Sequence, residues 1–313
     1  MSTLLVEAPG LFTTVQDLGR DGFGPMGVSA SGAADAISLR IGNLLVGNPE
    51  GSAALEMTLI GGAFTFEQDA VIAATGADFG PSLDGVALPM WTSIEIREGQ
   101  TVKFGPSRSG ARAYLCVQGG IAVELSLGSA STHVLSGLGG FEGRALRKGD
   151  RLEVGAANSF FRKRSLSVKA LESLGPRKVI RVTDGPQSDW FAESSWKTFC
   201  GNLFRVSEQS NRMGIRLEGP PISPDTSREM ITEGVSLGAI QVPPSGQPII
   251  LFVEQQTTGG YLKIANVISA DLHSLGQLRP RDEIRFERIE MGEARALLIQ
   301  QEALLASKEL IQE

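Results

Sequence analysis

Short apolar runs that alternate with glycine-rich turns are the main pattern of this chain. Val71–Ala74 and Arg112–Val117 have the length and composition of buried strands, and turns such as Gly61-Gly62 and Gly119-Gly120 separate runs of this kind. Glycine accounts for 38 of the 313 residues, about 12% against a usual ~7%, which fits a chain with many tight turns. The pattern therefore predicts a mainly β fold.

Three segments have a helical period instead. In the first, apolar residues recur every four positions, Ser31 is the candidate N-cap, and Gly47-Asn48-Pro49 ends the helix. Residues 189–199 predict a second, short helix. A third is expected within 291–313, where an apolar stripe favours packing on the chain's own barrel over packing on a partner. The apolar positions of the first helix are Ala33, Ile37, Ile41 and Leu45, and the aromatic residues expected to be buried by the second are Trp190, Phe191, Trp196 and Phe199.

The two halves of the chain resemble each other. Gly99–Phe104 parallels Arg281–Phe286, and Ala74–Ala77 parallels Thr257–Gly260, with offsets of about 180 residues, roughly the length of one domain. This repeat predicts two related β-barrels in tandem, with a cleft between them as the natural place for a ligand. The predicted domains are a first barrel at 1–158, a linker at 159–178, a second barrel at 179–290 and a C-terminal helix at 291–313.

Charge and cysteine content narrow the possible partners. The net charge is −6, from 29 basic and 35 acidic residues, so nothing favours binding to nucleic acid or to an anionic membrane. Cys116 and Cys200 are the only cysteines and no secretory leader pattern precedes them, so we expect a reducing cytoplasm. With only His133 and His273, and no cysteine pair at metal spacing, no metal site is expected.

Few catalytic motifs are present. Gly22–Gly27 formally matches G-x-G-x-x-G, but no apolar strand leads into it, so a dinucleotide site is rejected. The chain contains no G-x-x-x-x-G-K-[ST] phosphate loop and therefore no classical ATP site. The acid/base candidates near glycine turns are Asp78, Glu254, Lys263 and Asp271, for each of which a paired or solvated surface charge is the simpler interpretation.

The stretch between two apolar runs at 248–253 and 264–268 is the main ligand-binding candidate. It is dense in side-chain amides and hydroxyls, and its paired glycines allow positive φ and a close approach of the backbone to a ligand. A structural turn with threonine caps explains the same residues equally well. The candidates from this stretch are Gln256, Thr257, Thr258, Gly259, Gly260 and Tyr261. Two further loops, 127–132 and 139–144, carry small hydroxyl residues or glycines that could bind an anion through backbone amides, although such residues more often form plain loops.

Ten stretches, in order along the chain, resemble the allophanate hydrolase subunit 2 family, also called the biotin-dependent carboxyltransferase family. They are Thr13–Arg20, Ser31-Gly32-Ala33, Leu45–Asn48, Leu55-Glu56, Thr75-Gly76-Ala77, Gly128–Thr132, Gly185-Pro186-Gln187, Asn211–Gly214, Gly238–Pro243 and Gln256–Tyr261. The resemblance implies tandem cyclophilin-like β-barrels, with a few short helices. Matching to these motifs adds further candidate substrate-binding residues: Arg20, Ser31, Thr75, Gly76, Gln187 and Arg212. It assigns no catalytic residue.

Within this family the chain looks most like the C subunit of a 5-oxoprolinase complex. The resemblance then implies ATP-dependent hydrolysis of 5-oxo-L-proline to L-glutamate together with the A and B subunits, with B as the nearest partner. ATP would be used by a partner, and this chain would bind no cofactor of its own. One alternative is the carboxyltransferase part of a urea or amide carboxylase; since no Met-Lys-Met biotin-acceptor stretch is present, biotin would arrive in trans. Another is a non-catalytic antagonist of a kinase-inhibitor partner.

Overall fold

The structure, a computed structural model, describes residues 2–156, 161–225 and 230–313. The predicted end of the first barrel at residue 158 and the first two residues of the predicted linker, 159–160, lie outside the described residues. Within the described ranges the fold is mainly β with a few short helices, which confirms the predicted fold class.

The chain divides into two compact units, each made of more than one segment. The first unit contains the residues up to Arg20, together with Ser31–Leu174 and Leu304–Glu313. The second contains Asp21–Ala30 and Gly175–Ala303.

The first twelve strands of the first unit form two sheets. A seven-stranded sheet has the order β11-β12-β1-β4-β9-β6-β7 and a five-stranded sheet has the order β2-β3-β10-β5-β8, all with antiparallel pairing. The strands are β1 (Ser2–Ala8), β2 (Phe12–Gln16), β3 (Ala54–Thr58), β4 (Ala63–Phe66), β5 (Ala70–Gly76), β6 (Ser82–Leu83), β7 (Val86–Ala87), β8 (Ser93–Ile96), β9 (Thr101–Lys103), β10 (Arg112–Val117), β11 (Ile121–Ala122) and β12 (Arg151–Val154).

Side chains from both sheets form one buried cluster, and helix α1 (Ala36–Val46) covers the opposite face of the five-stranded sheet. Strand β10 shows the alternation that this requires: Leu115 lies in the cluster shared by the sheets, while its neighbours Tyr114 and Cys116 pack in the cluster of α1. All three side chains have no exposed surface. The five-stranded sheet is therefore buried on both of its faces along this strand.

The start of α1 differs from the prediction, whereas its end confirms it. Asp35, not Ser31, is the N-cap: its carboxylate accepts hydrogen bonds from the Ser38 backbone N–H at 2.9 Å and from the Ser38 hydroxyl at 2.6 Å. Ser31 has φ +57°, a left-handed conformation unlike the extended backbone of an N-cap, and lies five residues before the helix. Gly47, with φ +81°, ends the helix as expected.

Part of the segment predicted as a linker is ordered on the first unit. Its described residues include β13 (Ser165–Leu166) and α2 (Val168–Leu174). Leu166, Ala170 and Leu174 are buried in the same cluster as α1.

The second unit is built on a closed barrel. Its strands follow the order β14-β21-β18-β19-β16-β15-β22, and the barrel closes where β14 pairs with β22 in parallel. A separate two-stranded ribbon is formed by β17 and β20. The strands are β14 (Val179–Asp184), β15 (Phe204–Val206), β16 (Gly214–Glu218), β17 (Glu233–Gly234), β18 (Ala239–Val242), β19 (Ile249–Leu251), β20 (Thr258–Gly259), β21 (Leu262–Val267) and β22 (Glu283–Arg288).

Three helices accompany the barrel: α3 (Glu193–Gly201), α4 (Leu272–Gly276) and α5 (Met291–Leu305). The predicted helix at 189–199 begins at Glu193, preceded by a single 3-10 turn, and Phe199 on it stacks on Phe286 of β22 with ring centres 4.2 Å apart. Of the four aromatic residues expected to be buried there, three are, while Trp190 is half-buried.

The C-terminal helix packs on the chain itself. Ala294 on α5 is buried against Ile268 and Ala270, and the Gln301 side-chain amide donates to the Ala270 carbonyl at 3.0 Å. After the helix, β23 (Ile311–Gln312) pairs with β13. The apolar stripe in the sequence thus serves an intramolecular contact.

Candidate functional site

Two cross-strand pairs of the second unit face each other. Gln241 on β18 lies directly opposite Lys263 on β21, and Glu233 on β17 lies directly opposite Gly259 on β20. Directly opposed residues on antiparallel strands project to the same face of the sheet. Because the Lys263 ammonium reaches the Glu233 carboxylate, the face of the ribbon that carries Glu233 and Gly259 is turned towards Gln241 and Lys263. We call these four residues, with Gln187 and Gln256, the amide cluster.

Lys263 is the buried charge of the amide cluster. Only 2% of its side chain is exposed, and its ammonium lies 2.8 Å from Glu233 Oε1 and donates to the Tyr261 carbonyl at 3.1 Å. Gln187 completes the arrangement: its Nε2 donates to Glu233 Oε1 at 3.0 Å, and its Oε1 accepts from the Lys263 backbone N–H at 3.1 Å. The pKa of Glu233 is lowered below its ordinary value, most by the hydrogen bond from Lys263 and next by the one from Gln187. Both side chains donate to the ionised carboxylate and so favour it.

Gln241 supplies the uncompensated polar group of the amide cluster. The residue is 1% exposed, and among the described residues its Nε2 has no hydrogen-bond partner. Buried amide groups are normally hydrogen-bonded, so this donor calls for an explanation. A Cβ at position 259 would lie 2.4 Å from Gln241 Nε2 and 3.3 Å from Gln256 Nε2. The Gln241 amide nitrogen therefore packs closely against Gly259, and Gln256 Nε2 lies near the same side of that residue.

The reason for glycine at 259 differs from the one expected. Neither Gly259 nor Gly260 has a φ between +20° and +160°, so positive φ, which the sequence suggested, is not what requires them. Gly259 is required because a side chain would collide with Gln241. At Gly260 a Cβ would come within 3.3 Å of the Thr232 hydroxyl, a milder conflict.

The other candidates of this stretch lie at the rim of the ribbon. Gln256, Thr258, Gly260 and Tyr261 are exposed, and Thr257 is half-buried. The backbone of the stretch is held in place, since the Thr257 carbonyl accepts from the Val235 N–H at 3.1 Å. Exposed amide and hydroxyl groups on a fixed backbone suit contact with a small polar molecule.

Arg212, by contrast, is committed to an internal ion pair. Its Nε lies 2.5 Å from Glu254 Oε1, and the two side chains are 7% and 4% exposed. Asp271, another acid/base candidate, is fully buried and receives two side-chain bonds from Arg181, which also donates to it through its backbone N–H. These carboxylates have the contacts of structural groups.

The loop at 127–132, which was predicted to bind an anion, binds the Asp17 carboxylate of its own chain. Asp17 receives the Ser129 hydroxyl at 2.7 Å, the Ala130 backbone N–H at 2.6 Å, and the Ser131 hydroxyl. The Gly19 N–H adds a further bond at 2.7 Å. The hydroxyl and glycine motif at 128–132 is thus a receptor for the Asp17 carboxylate, and two stretches about 110 residues apart are joined by it.

Arg20 lies behind the wall of a cavity of about 630 Å³ in the first unit. The residue is 2% exposed, and its guanidinium donates to the carbonyls of Ser131 and Ser126, the latter at 3.4 Å. Ser126 and Gly139 belong to the two loops, 122–126 and 137–143, that line the cavity, and a Cβ at Gly139 would come 2.8 Å from Arg20 Nη2. Arg20 therefore anchors the first of these loops through the Ser126 carbonyl and lies close to the second at Gly139.

The remaining candidates of the first unit have structural contacts. Ser31 donates its hydroxyl to the Thr132 carbonyl at 3.0 Å, and Thr75, with no exposed surface, donates to the Ser38 carbonyl of α1 at 2.8 Å. Gly76 has φ +81°, and a Cβ there would lie 2.5 Å from the Arg112 carbonyl. Each of these three residues has a structural reason for its identity.

A buried acidic network beneath α1 was not foreseen from the sequence. The Tyr114 hydroxyl donates to Glu56 Oε2 at 2.7 Å and accepts from the Asp35 N–H at 2.8 Å, while the Ala34 N–H also donates to Glu56 Oε2 at 2.8 Å. Burial, and then the charges of Glu56 and Asp35, raise the pKa of Tyr114 well above its ordinary value.

Two features are absent from the described part of the chain. Among the described residues, no group of three or more His, Cys, Asp and Glu side chains is arranged to hold a metal ion. In the same part of the chain, none of the helices combines the length and the apolar character that a membrane span requires.

Comparison with known proteins places the chain in a family. Residues 26–288 match the carboxyltransferase domain, subdomain A and B. The chain belongs to this family. It is 41% identical over 293 residues to the C subunit of 5-oxoprolinase from Escherichia coli strain K12, a match that covers 93% of each chain. It is 39% identical to the C subunit of 5-oxoprolinase from Haemophilus influenzae, covering 91% of this chain and 90% of that one. The resemblance drawn from the sequence motifs is confirmed.

A solved relative extends the comparison to structure. The crystal structure of the K. lactis urea amidolyase matches this chain with a TM-score of 0.91 at 33% identity. The match covers 99% of this chain and 20% of that protein, so the chain spans about a fifth of the length of that relative.

In this carboxyltransferase-family chain, the sequence analysis named four of the six residues of the amide cluster but missed Glu233 and did not single out Gln241. Gln187, Gln256 and Gly259 lay in family-like motifs, and Lys263 was an acid/base candidate. Glu233 has no motif around it, and only the pairing of β17 with β20 brings it opposite Gly259. The sequence held only a weak signal for Glu233. It is an acidic residue in the same half of the chain as the apolar strand that carries Lys263.

Proposed function

We propose that this chain is the C subunit of a 5-oxoprolinase complex, which hydrolyses 5-oxo-L-proline to L-glutamate at the expense of ATP. The observation that carries the proposal is 41% identity to the E. coli relative of that name over 93% of both chains. A match that extends over nearly the whole of two chains of similar length supports a shared role more strongly than a shared domain does.

The reaction explains why several subunits are needed. A lactam is a poor electrophile, and phosphorylation of its carbonyl oxygen by ATP makes attack by water feasible. In this proposal the A and B subunits are the partners: ATP is used by a partner subunit, and B is the nearest neighbour of this chain. The present chain binds and orients the lactam without a cofactor of its own. Because the reaction draws on ATP, we expect the complex in the cytoplasm.

Reconstitution tests this function directly. The three subunits are co-purified, and ATP-dependent release of glutamate from 5-oxo-L-proline is measured with and without this chain. Release that depends on the chain is the expected result. Equal release without it, or no release from a complex that assembles normally, contradicts the proposal.

Carboxyl transfer to a urea-like amide is the second candidate, favoured by the TM-score of 0.91 with the K. lactis urea amidolyase. In that case biotin is delivered in trans by another protein. The two functions are separated by supplying carboxylated biotin in place of ATP and assaying carboxylation of urea, which only the second function supports.

A further inference from the structure

The cavity in front of Arg20 lies at the edge of the seven-stranded sheet. Strand β11 is the outermost strand of that sheet, and Ile121 and Ala122 are its residues paired with β12. In the same register Glu124 would pair with Arg151, but β11 ends at Ala122 and the chain leaves the sheet. The cavity, which we call the edge groove, measures about 630 Å³, a volume within the range of binding clefts. It is lined by residues 122–126 and 137–143 together with Arg151 and Glu153.

The chain that follows β11 has backbone groups without a partner. Within the described residues, no hydrogen bond is made by the backbone N–H and C=O groups of 123–125. The chain is fixed on both sides of this stretch. The Ile121 N–H donates to the Ala53 carbonyl at 2.9 Å, and the Ser126 N–H donates to the Ser129 carbonyl at 2.9 Å. Three consecutive residues at a sheet edge therefore keep donors and acceptors open, which is what an added strand requires.

Apolar side chains form part of the groove. Val123 and Phe141 are half-buried and pack on the core cluster shared by the two sheets of the first unit. Leu125, also in the lining, is 61% exposed. A segment bound in the groove would remove this apolar surface from water, which favours binding.

The charged groups of the groove are mainly acidic. Glu153 projects from the outer face of the sheet, since its neighbour Leu152 is buried in the core cluster. Among the described residues, neither Glu153 nor Glu124 has an ion pair or a side-chain hydrogen bond, and both are exposed. Arg151, the basic residue of the lining, is already paired with Glu67 at 3.1 Å. The groove therefore attracts a cationic partner and repels the phosphates of nucleic acids and anionic lipids.

The opposite wall of the groove is fixed without a partner. The Gly140 N–H donates to the Ala130 carbonyl at 3.1 Å, and the Gly143 N–H donates to the Gly139 carbonyl at 2.9 Å. At Gly143, φ is +65° and a Cβ would collide with the Gly137 carbonyl, so the tight turn of this wall requires glycine there. A preformed groove reduces the conformational entropy lost on binding.

We infer that the edge groove binds an extended basic segment of a partner protein, which adds a strand at the edge of the sheet. The backbone of this segment pairs with residues 123–125, its apolar side chains contact Val123 and Leu125, and its lysine or arginine side chains lie near Glu124 and Glu153. Successive side chains of a strand point to opposite sides, so a segment in which basic and apolar residues alternate meets both parts of the lining. The inference does not depend on the proposed function, because the groove belongs to the first unit and the amide cluster to the second.

A synthetic peptide is the first test. The probe is fluorescein-labelled Lys-Val-Lys-Val-Lys-Val with an amidated C-terminus, and its fluorescence anisotropy is followed as the full chain is added. Saturable binding is expected. The matched Glu-Val-Glu-Val-Glu-Val peptide should bind about tenfold more weakly or less, because its charges face Glu124 and Glu153. A Lys-Val peptide that is methylated at every backbone nitrogen should also lose about tenfold or more, because it has no backbone donors left.

Variants of the chain locate the binding. Glu124→Gln combined with Glu153→Gln keeps the size of both side chains and is expected to weaken binding of the Lys-Val peptide about fivefold or more. Glu95→Gln is the matched control. It changes an exposed carboxylate on β8, the edge strand of the five-stranded sheet, and affinity should stay within about twofold of the wild type. All three side chains are exposed, so the variants should unfold at the wild-type temperature.

Hydrogen exchange separates an added strand from general attraction between charges. The amides of 123–125 should exchange rapidly in the free chain, and saturating Lys-Val peptide should slow them about tenfold or more. Slow exchange of these amides in the free chain overturns the inference, because the edge would then already be covered. Absence of saturable binding, equal binding of the fully methylated peptide, or wild-type affinity of the double variant overturns it as well. So does binding that leaves the exchange of 123–125 unchanged, since the peptide is then held by charge alone.

Discussion

The guanidinium of Arg212 and the carboxylate of Glu254 form an ion pair that solvent hardly reaches. The Nε to Oε1 distance is 2.5 Å, and the backbone adds a second link, from the Glu254 N–H to the Arg212 carbonyl at 2.8 Å. The pair joins the turn before β16 to the segment after β19. In this position Arg212 contributes to folding in the first instance, although the motif around it suggested a ligand contact.

Removal of Arg212 should therefore destabilise the protein. Arg212→Ala leaves the Glu254 charge buried without its partner, and we expect the free energy of unfolding to fall by about 3–5 kcal/mol in urea titrations. Arg281→Ala is the control: its pair with Glu208 is 69% and 65% exposed, and the change should stay below about 1 kcal/mol. Normal stability of Arg212→Ala combined with lost turnover would instead return Arg212 to the binding site.

Asp17 should hold the loop at 128–132 in place. Asp17→Asn replaces a carboxylate, which only accepts hydrogen bonds, by an amide whose N–H groups face the donors of Ser129 and Ala130. We expect the free energy of unfolding to fall by about 1–3 kcal/mol and proteolysis within that loop to become faster. Asp21→Asn is an exposed control and should leave both unchanged. An intact loop in Asp17→Asn would show that the loop holds its shape by itself.

Tyr114 should give the protein a marked alkaline instability. Its pKa is raised in the folded state, so the folded protein keeps the phenolic proton at a pH where the unfolded chain, with a pKa of about 10, has released it. The contribution of Tyr114 to the free energy of unfolding is fully present below a pH of about 10 and is lost as the pH rises above that value. Thermal unfolding at pH 8 and pH 11 should show a smaller drop for Tyr114→Phe than for the wild type. Tyr261→Phe, which changes the only other tyrosine, an exposed one, should drop as the wild type does.

At pH 8, Tyr114→Phe itself should cost about 1–3 kcal/mol, because Asp35 loses the acceptor for its buried N–H. If Tyr114→Phe has the wild-type free energy of unfolding at pH 8 and an unchanged alkaline transition, this hydroxyl does not contribute to stability.

Two threonines from matching motifs should behave in opposite ways. Thr75→Val removes a fully buried hydroxyl that bonds to the Ser38 carbonyl, and we expect a loss of about 1–3 kcal/mol. Thr258→Val changes an exposed residue and should leave stability within about 0.5 kcal/mol while lowering turnover of the assembled complex. Equal effects of the two substitutions on stability would contradict this assignment.

Local rules were enough to predict the elements that depend on near neighbours. The four-residue period of α1 and its terminal Gly47 follow from helix geometry, and the structure has both. The start of α1 was misplaced because Ser31 and Asp35 are both acceptable N-caps by residue type, and the Ser31 hydroxyl is instead engaged by the Thr132 carbonyl, about 100 residues away.

The candidate site shows the same division between local and distant information. Gly259 was singled out in the sequence for positive φ, whereas in the structure a side chain there would collide with Gln241, which only the barrel brings near. Thr75 and Arg212 have the chemistry of ligand contacts, and nothing in their local sequence shows that Ser38 and Glu254 already occupy them. Residue type indicates what a side chain can bind, whereas the fold decides what it does bind.

The position of β14 between β21 and β22 also determines the order in which the second unit can assemble on the ribosome. Strand β14 pairs only with β21 and β22 in the barrel order, and its Val182 meets Val267 about 85 residues later in the chain. At typical rates of synthesis, Val267 emerges from the ribosome roughly 4 to 17 s after Val182. Throughout that interval β14 has neither of its barrel neighbours, so both of its edges are open to pairing with other segments or other chains until the last strands are made.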